Sequence, residues 1–87
     1  MEIILLPEAK ADLDFWLKSG NKQILKKISQ LAEAIVANPY NGIGKPEQLK
    51  HSLTGCWSRR INNEHRLVYE ILDNKILIHS LKGHYYI

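Results

Sequence analysis

The sequence predicts a two-layer α+β domain of order β-α-α-β-β-β, with a mainly antiparallel sheet and two N-terminal helices on one of its faces. Three observations predict it. Apolar residues Ile24, Leu25, Ile28, Leu31, Ala32, Ile35 and Val36 recur at the three-and-four spacing of an amphipathic helix. Three short runs rich in β-branched and aromatic residues, at about 56 to 61, 65 to 72 and 75 to 81, close the chain. Helical stripes and a sheet that each need one side covered bury one another most simply as two layers.

Each element follows in order. Residues 2 to 6, EIILL, read as a strand covered on both faces, and Pro7 ends it and suits the first turn of a helix. The first helix runs from Glu8 to Leu17, with Ala9, Leu13 and Trp16 or Leu17 on one side and Ser19-Gly20 as its stop. The second runs from about Lys22 to Ala37 and is stopped by Asn38-Pro39. A long connection from Tyr40 to about Gly55 is punctuated by Gly42, Gly44 and Pro46, with a helical turn at LKHSL. Asn62-Asn63 and Asp73-Asn74 provide the turns between the last three strands. In the run from 65 to 72, Leu67, Tyr69 and Ile71 share the face toward the helices, which leaves Arg66, Val68 and Glu70 on the open face.

At 87 residues and 45% apolar content the chain forms a single domain, 1–87, with one modest core. Twelve Lys and Arg against nine Asp and Glu give a net charge of +3, which permits an anionic partner without demanding one. The lone Cys56 cannot make an internal disulfide and reads as a packed residue. The apolar run at residues 3–6 is too short for a signal peptide, and no stretch approaches a membrane span, so a cytoplasmic location is expected.

Charge is concentrated in WSRRINNEHRLVY, residues 57 to 69, where Arg59, Arg60, Glu64, His65 and Arg66 share one hairpin. Either the arginines pair with Glu64 and Glu70 across strands, or they form a surface for an anion. Lys45, Glu47, Lys50 and His51 fall together in GKPEQLKH, residues 44 to 51. This is no phosphate loop, because Pro46 replaces the Ser or Thr and no strand precedes it. His51, His65, His79 and His84 offer no helical i, i+4 pair and Cys56 stands apart, so no metal site is expected. The terminal KGHYYI contributes His84, Tyr85 and Tyr86. Aromatics stack on single-stranded RNA, and Glu, Arg and His together supply a base, a phosphate stabiliser and an acid.

The run GKPEQLKHSLTGCWSRRINNEHRLVYEI, residues 44 to 71, with the terminal His84-Tyr85, resembles the YoeB (Txe) branch of the RelE toxin superfamily. The order GKPE-x-L-K, W-S-R-R-I, E-H-R-L-V-Y is specific, and the resemblance extends over nearly the whole chain. It implies a toxin of a bacterial type II toxin–antitoxin pair that cleaves mRNA on the ribosome and stops translation. By motif position it implies Glu47 as general base, Arg66 as stabiliser of the phosphoryl transition state and His84 as general acid. Lys50, Arg59 and Tyr85 would contact substrate or phosphate. No cofactor or metal is implied. The implied partners are mRNA on the ribosome and an acidic, partly disordered antitoxin; a homodimer stays open, and no membrane is involved. The alternative is a non-catalytic ParE-like toxin that acts on DNA gyrase by occupancy. Two positions depart from the family pattern: Gly83 stands where an aromatic usually precedes the terminal histidine, and Cys56 where one usually precedes the tryptophan.

Overall fold

The computed structural model describes residues 1–83. Its elements are β1 (Glu2–Leu5), α1 (Pro7–Ser19), α2 (Lys22–Ala37), β2 (Glu47–Gln48), β3 (Trp57–Arg60), β4 (Arg66–Leu72) and β5 (Lys75–Ser80). The strands form one mixed sheet of order β1-β5-β4-β3-β2, parallel between β1 and β5 and antiparallel elsewhere.

Local chemistry sets the element ends. Pro7 opens α1, and Gly20 closes it in the left-handed region (φ 69°) while its N–H donates to the Leu17 carbonyl. Asn21 caps α2 by accepting the Ile24 N–H at 3.1 Å, a contact worth about 1 kcal/mol. Between β4 and β5, Asp73 and Asn74 both take positive φ (51° and 59°), as a two-residue hairpin turn with the sheet's own twist requires. The Asn62 carboxamide oxygen accepts from the N–H groups of Glu64 and His65, which folds the turn between β3 and β4.

The core lies between the helices and one face of the sheet. Ala9 and Trp16 of α1 and Ile24, Ile28, Leu31 and Ile35 of α2 pack with Leu67, Tyr69, Ile76 and Ile78. Each such aliphatic side chain contributes about 1.5–3 kcal/mol when fully buried. Leu17 and Val36, at the margins of the two stripes, remain exposed. The other face carries a smaller apolar cluster of Leu49, Cys56 and Val68, with Leu53 against it.

Three features differ from the sequence expectation. β1 is an edge strand rather than one covered on both faces, and its Ile3 is 42% exposed. The connection before residue 56 contains a further strand, β2, which pairs Glu47 with Ser58 and Gln48 with Trp57 around a 3₁₀ turn at His51–Leu53. Finally, β5 is bulged. Val68 faces Ser80 and Tyr69 faces Ile78, so His79 is an extra residue opposite β4. The bulge shifts the alternation by one, and Leu81 rejoins the core.

Candidate active site

Strand pairing defines the open face. Cross-strand partners lie on the same side of a sheet, so Glu47, Ser58, Val68 and Ser80 form a row across β2, β3, β4 and β5. Two residues along lies the pair Arg60–Arg66. Val68 packs away from the helices, which places both rows on the open face. Arg66 is two strands over and two residues along from Glu47, about 12 Å between backbones at about 4.8 Å per strand and 3.3 Å per residue. A long carboxylate side chain and a longer guanidinium side chain can reach one phosphodiester across that gap. Glu47 is exposed on the edge strand, and Lys50, just beyond it, is exposed as well.

Arg66 is held rather than loose. Its Nη1 donates to the Asn62 carbonyl at 2.7 Å and to the His65 carbonyl at 3.2 Å, and the residue is only 8% exposed. The turn thus orients the guanidinium before any ligand arrives. Arg60, directly opposite, adds a second cation to this face. Glu70 does not take an arginine; it meets His79 Nε2 at 2.7 Å.

His84 and Tyr85 lie outside the described residues, but the approach to them is well defined. Leu81 is fixed at both backbone groups: its N–H donates to Asp12 Oδ2 and its carbonyl accepts from Trp16 Nε1, each at 2.9 Å. The Gly83 N–H donates to His65 Nδ1, and the Gly83 carbonyl accepts the Arg66 N–H, again at 2.9 Å. His65 in turn stands edge-on to Trp16, with ring centroids 4.8 Å apart. The residue before His84 is therefore tied to the backbone of Arg66.

Asp12, Trp16 and His65 carry this anchoring, and sequence reading assigned them no such part. Their signal is long-range: Trp16 and Leu81 are 65 positions apart. Neutral His65 must accept at Nδ1 and so carries its proton on Nε2. His65→Phe keeps the ring against Trp16 but removes the acceptor. The variant should remain folded but free the Gly83 amide, read as a several-fold faster hydrogen-exchange rate at that amide against an unchanged thermal unfolding midpoint. An unchanged exchange rate would show that the Gly83 link does not matter. Gly83 itself adopts φ 90°, a region that side-chain-bearing residues rarely enter. An aromatic here would strain the backbone by about 1–3 kcal/mol, so the departure at this position matches the local conformation.

Arg59 stands apart from the expected substrate contact. It lies on the helix face of β3 opposite Leu67 and has 0% exposure. Its guanidinium donates to the carbonyls of Asn38 (2.6 Å), Asn41 (3.1 Å) and Ile43 (3.2 Å) and to the Tyr69 hydroxyl (3.2 Å). The Tyr69 hydroxyl in turn donates a hydrogen bond to the Pro39 carbonyl at 2.6 Å. Burial raises the Tyr69 phenol above its ordinary pKa, against the opposing pull of Arg59. Gly44 must lie close by: a Cβ there would come within 2.7 Å of Leu31 Cδ2 and 3.0 Å of Arg59 Cβ. Arg59 is thus a clamp that folds residues 38–43 onto the core and so delivers the chain to Glu47. Arg59→Ala should lower stability by about 3 kcal/mol, because the buried guanidinium's bonds to three part-buried carbonyls and the Tyr69 hydroxyl are lost together. Denaturant midpoints would show it. Arg59→Lys should recover little, since one ammonium cannot span the same fork. A lysine variant as stable as the parent would show that the fork of contacts to residues 38–43 is not what holds this connection.

Comparison with known proteins gives the family. A family model described as YoeB-like toxin of bacterial type II toxin-antitoxin system matches residues 6–85. The toxin YoeB of Synechocystis is 54% identical over 70 residues, 80% of this chain and 81% of that protein. A solved YoeB/ParE toxin from Agrobacterium tumefaciens superposes with a TM-score of 0.93 at 32% identity, covering 98% of this chain and 100% of the other. YoeB of Staphylococcus aureus is 48% identical and covers 98% of both chains. It is solved in a heterotetrameric complex with YefM (TM-score 0.87) and as a dimer (TM-score 0.88). By sequence and fold, this chain belongs to the YoeB-like toxins of bacterial type II toxin–antitoxin systems.

Proposed function

We propose that the protein is a metal-independent endoribonuclease that cuts mRNA on the ribosome, with Glu47 as base, Arg66 as transition-state stabiliser and His84 as acid. The observation that carries this reading is convergence on the open face. Glu47 and Arg66 share that face, and Gly83, which precedes His84, is hydrogen-bonded to the Arg66 backbone.

The chemistry needs a nucleophile, which RNA supplies as its own 2′-OH. Glu47 takes the hydroxyl proton as the oxygen attacks the adjacent phosphorus. Charge builds on the equatorial phosphoryl oxygens, where a pre-oriented guanidinium offers two parallel hydrogen bonds. His84 gives a proton to the departing 5′-oxygen. The products are a 2′,3′-cyclic phosphate and a 5′-hydroxyl. Lys50 and Tyr85 hold flanking phosphate or base in this reading, on the strength of the family resemblance. The ribosome, by presenting the message in one geometry, supplies orientation that so small a surface cannot provide alone.

The partner that silences the enzyme would be an acidic antitoxin segment covering this basic face, by analogy with the YoeB–YefM complex of S. aureus. The S. aureus dimer makes self-association a second partner mode. No helix among the described residues is long and apolar enough to cross a membrane, and a cytoplasmic site of action follows from the ribosomal substrate.

Primer extension on a defined mRNA in a translating extract tests the reading against the gyrase alternative. Discrete toxin-dependent cuts with unimpaired gyrase supercoiling are expected; an intact message with inhibited supercoiling would reverse the assignment. The acid is tested separately. His84→Gln should slow cleavage of an ordinary message far more than of one with a 5′-phosphorothiolate at the scissile bond, since sulfur leaves without protonation. Equal slowing of both would remove His84 from that role.

A further inference from the structure

The open face holds a second group of reactive side chains that the cleavage scheme does not use. Cys56 immediately precedes β3, Glu70 lies in β4 and His79 is the bulged residue of β5. One ligand atom from each (Sγ, a carboxylate oxygen and an imidazole nitrogen) falls within 4.8 Å of the others. The sequence left Cys56 apart from every histidine; strand pairing brings them together, because His79 follows Leu77 onto the open face and β4 sets Glu70 between it and Cys56. We propose that Cys56, Glu70 and His79 form a zinc site that bridges three neighbouring strands.

The donor set selects the ion. A thiolate, an imidazole and a carboxylate together suit Zn²⁺, whereas Mg²⁺ and Ca²⁺ seek oxygen alone. Tetrahedral zinc with bonds of about 2.0–2.3 Å holds its ligand atoms about 3.3–3.6 Å apart. His79 Nε2 and Glu70 Oε1, now in contact at 2.7 Å, need only part slightly to admit an ion between them. Both side chains are about one-third exposed (33% and 28%), so rotation and entry are open from solvent. Cys56 is buried against Leu49, Val68 and Leu53, an apolar backing that lets the fourth position face water. On binding, the thiol releases its proton to solvent and the His79–Glu70 hydrogen bond is replaced by two metal bonds.

The site shares no side chain with the proposed catalytic group but adjoins it: Cys56 is one strand over and two residues along from Glu47, about 8 Å between backbones at about 4.8 Å per strand and 3.3 Å per residue. Glu70 lies four residues along β4 from Arg66, about 13 Å at 3.3 Å per residue. Its role is to fasten β3, β4 and β5 at the bulge, and zinc should therefore raise thermal stability.

The test uses the purified full chain without RNA or ribosomes, so its result is independent of the cleavage reading. Zinc is titrated against a chromophoric chelator, and Co²⁺ serves as the spectroscopic probe. One equivalent of Co²⁺ should give a thiolate-to-cobalt charge-transfer band in the near ultraviolet, with the strong visible bands of a four-coordinate ion. Cys56→Ser should abolish the charge-transfer band and the zinc-dependent rise in unfolding temperature. His79→Gln and Glu70→Gln should weaken zinc binding by more than the about 10–100-fold typical of losing an outer-shell partner. Circular dichroism would confirm that each variant is folded. Absence of the band in the parent chain would overturn the proposal. So would zinc affinity that survives in Cys56→Ser, which would place the ion on other histidines.

Discussion

Glu47→Gln should reduce single-turnover cleavage on programmed ribosomes by about 10²–10⁴-fold, the range a positioned general base contributes. The amide is nearly isosteric with the acid but cannot accept the 2′-OH proton. Glu47 sits in a two-residue edge strand held to β3 by backbone pairing, and its side chain is exposed. The substitution should therefore leave the thermal unfolding midpoint unchanged. This separation of activity from stability is the informative part. A variant that cuts at the parent rate would take Glu47 out of the mechanism. One that loses both rate and fold would make Glu47 a structural residue of the β2–β3 pairing instead.

Arg66→Lys should cost about 10²–10³-fold in the same assay, or about 2.7–4 kcal/mol of barrier, the usual loss when one pre-organised oxyanion contact is removed. Charge is conserved in this exchange, so a simple positive potential would predict little change. Geometry predicts a large one. The guanidinium uses Nη1 to grip the Asn62 carbonyl of the β3–β4 turn. Its planar fork lets one nitrogen hold the turn while others address the phosphate, which a single ammonium cannot do. Full activity in the lysine variant would show that Coulomb attraction alone suffices.

The contrast between Arg59 and Arg66 shows what the sequence could and could not reveal. Both lie in the charged hairpin, and local pattern offers both to an anion. Alternation in β4 correctly sends Leu67 and Tyr69 to the core and Arg66 to the open face. The same alternation, carried through the cross-strand partner Leu67, turns Arg59 inward. Nothing local foretells that residues 38–43 would fold back to supply carbonyls for its guanidinium, because those contacts span 16 to 21 positions. The helices were legible since a stripe at three-and-four spacing with a Pro start to the first helix and Gly or Asn-Pro stops leaves few alternatives. β2 was not: Glu47 and Gln48 are exposed and polar, and only backbone pairing defines them as a strand. The His79 bulge was equally hidden, since β5 alternates well on its own until its register against β4 is known.

The candidate site was legible by motif rather than by physics. Glu47, Arg66 and His84 are distant in sequence, and resemblance brought them together before any geometry did. Structure adds the row from Glu47 through Ser58 to Val68, the turn that aims Arg66, and the Trp16–His65 support of the segment before His84. It also finds Cys56 buried, with its thiol pKa raised by that burial and secondarily by Glu70. Cys56 is accordingly a poor nucleophile near neutral pH, in agreement with its reading as a packed residue.

The central claim is that this face cuts RNA by internal attack of the 2′-OH. The most direct measurement is the chemistry of the ends formed when the parent protein meets a defined message in the ribosomal A site. A 2′,3′-cyclic phosphate on the upstream fragment and a 5′-hydroxyl on the downstream one are expected, at discrete positions and only when ribosomes are present. A 3′-hydroxyl with a 5′-phosphate would mean that water, not the ribose, is the nucleophile, and would contradict the account.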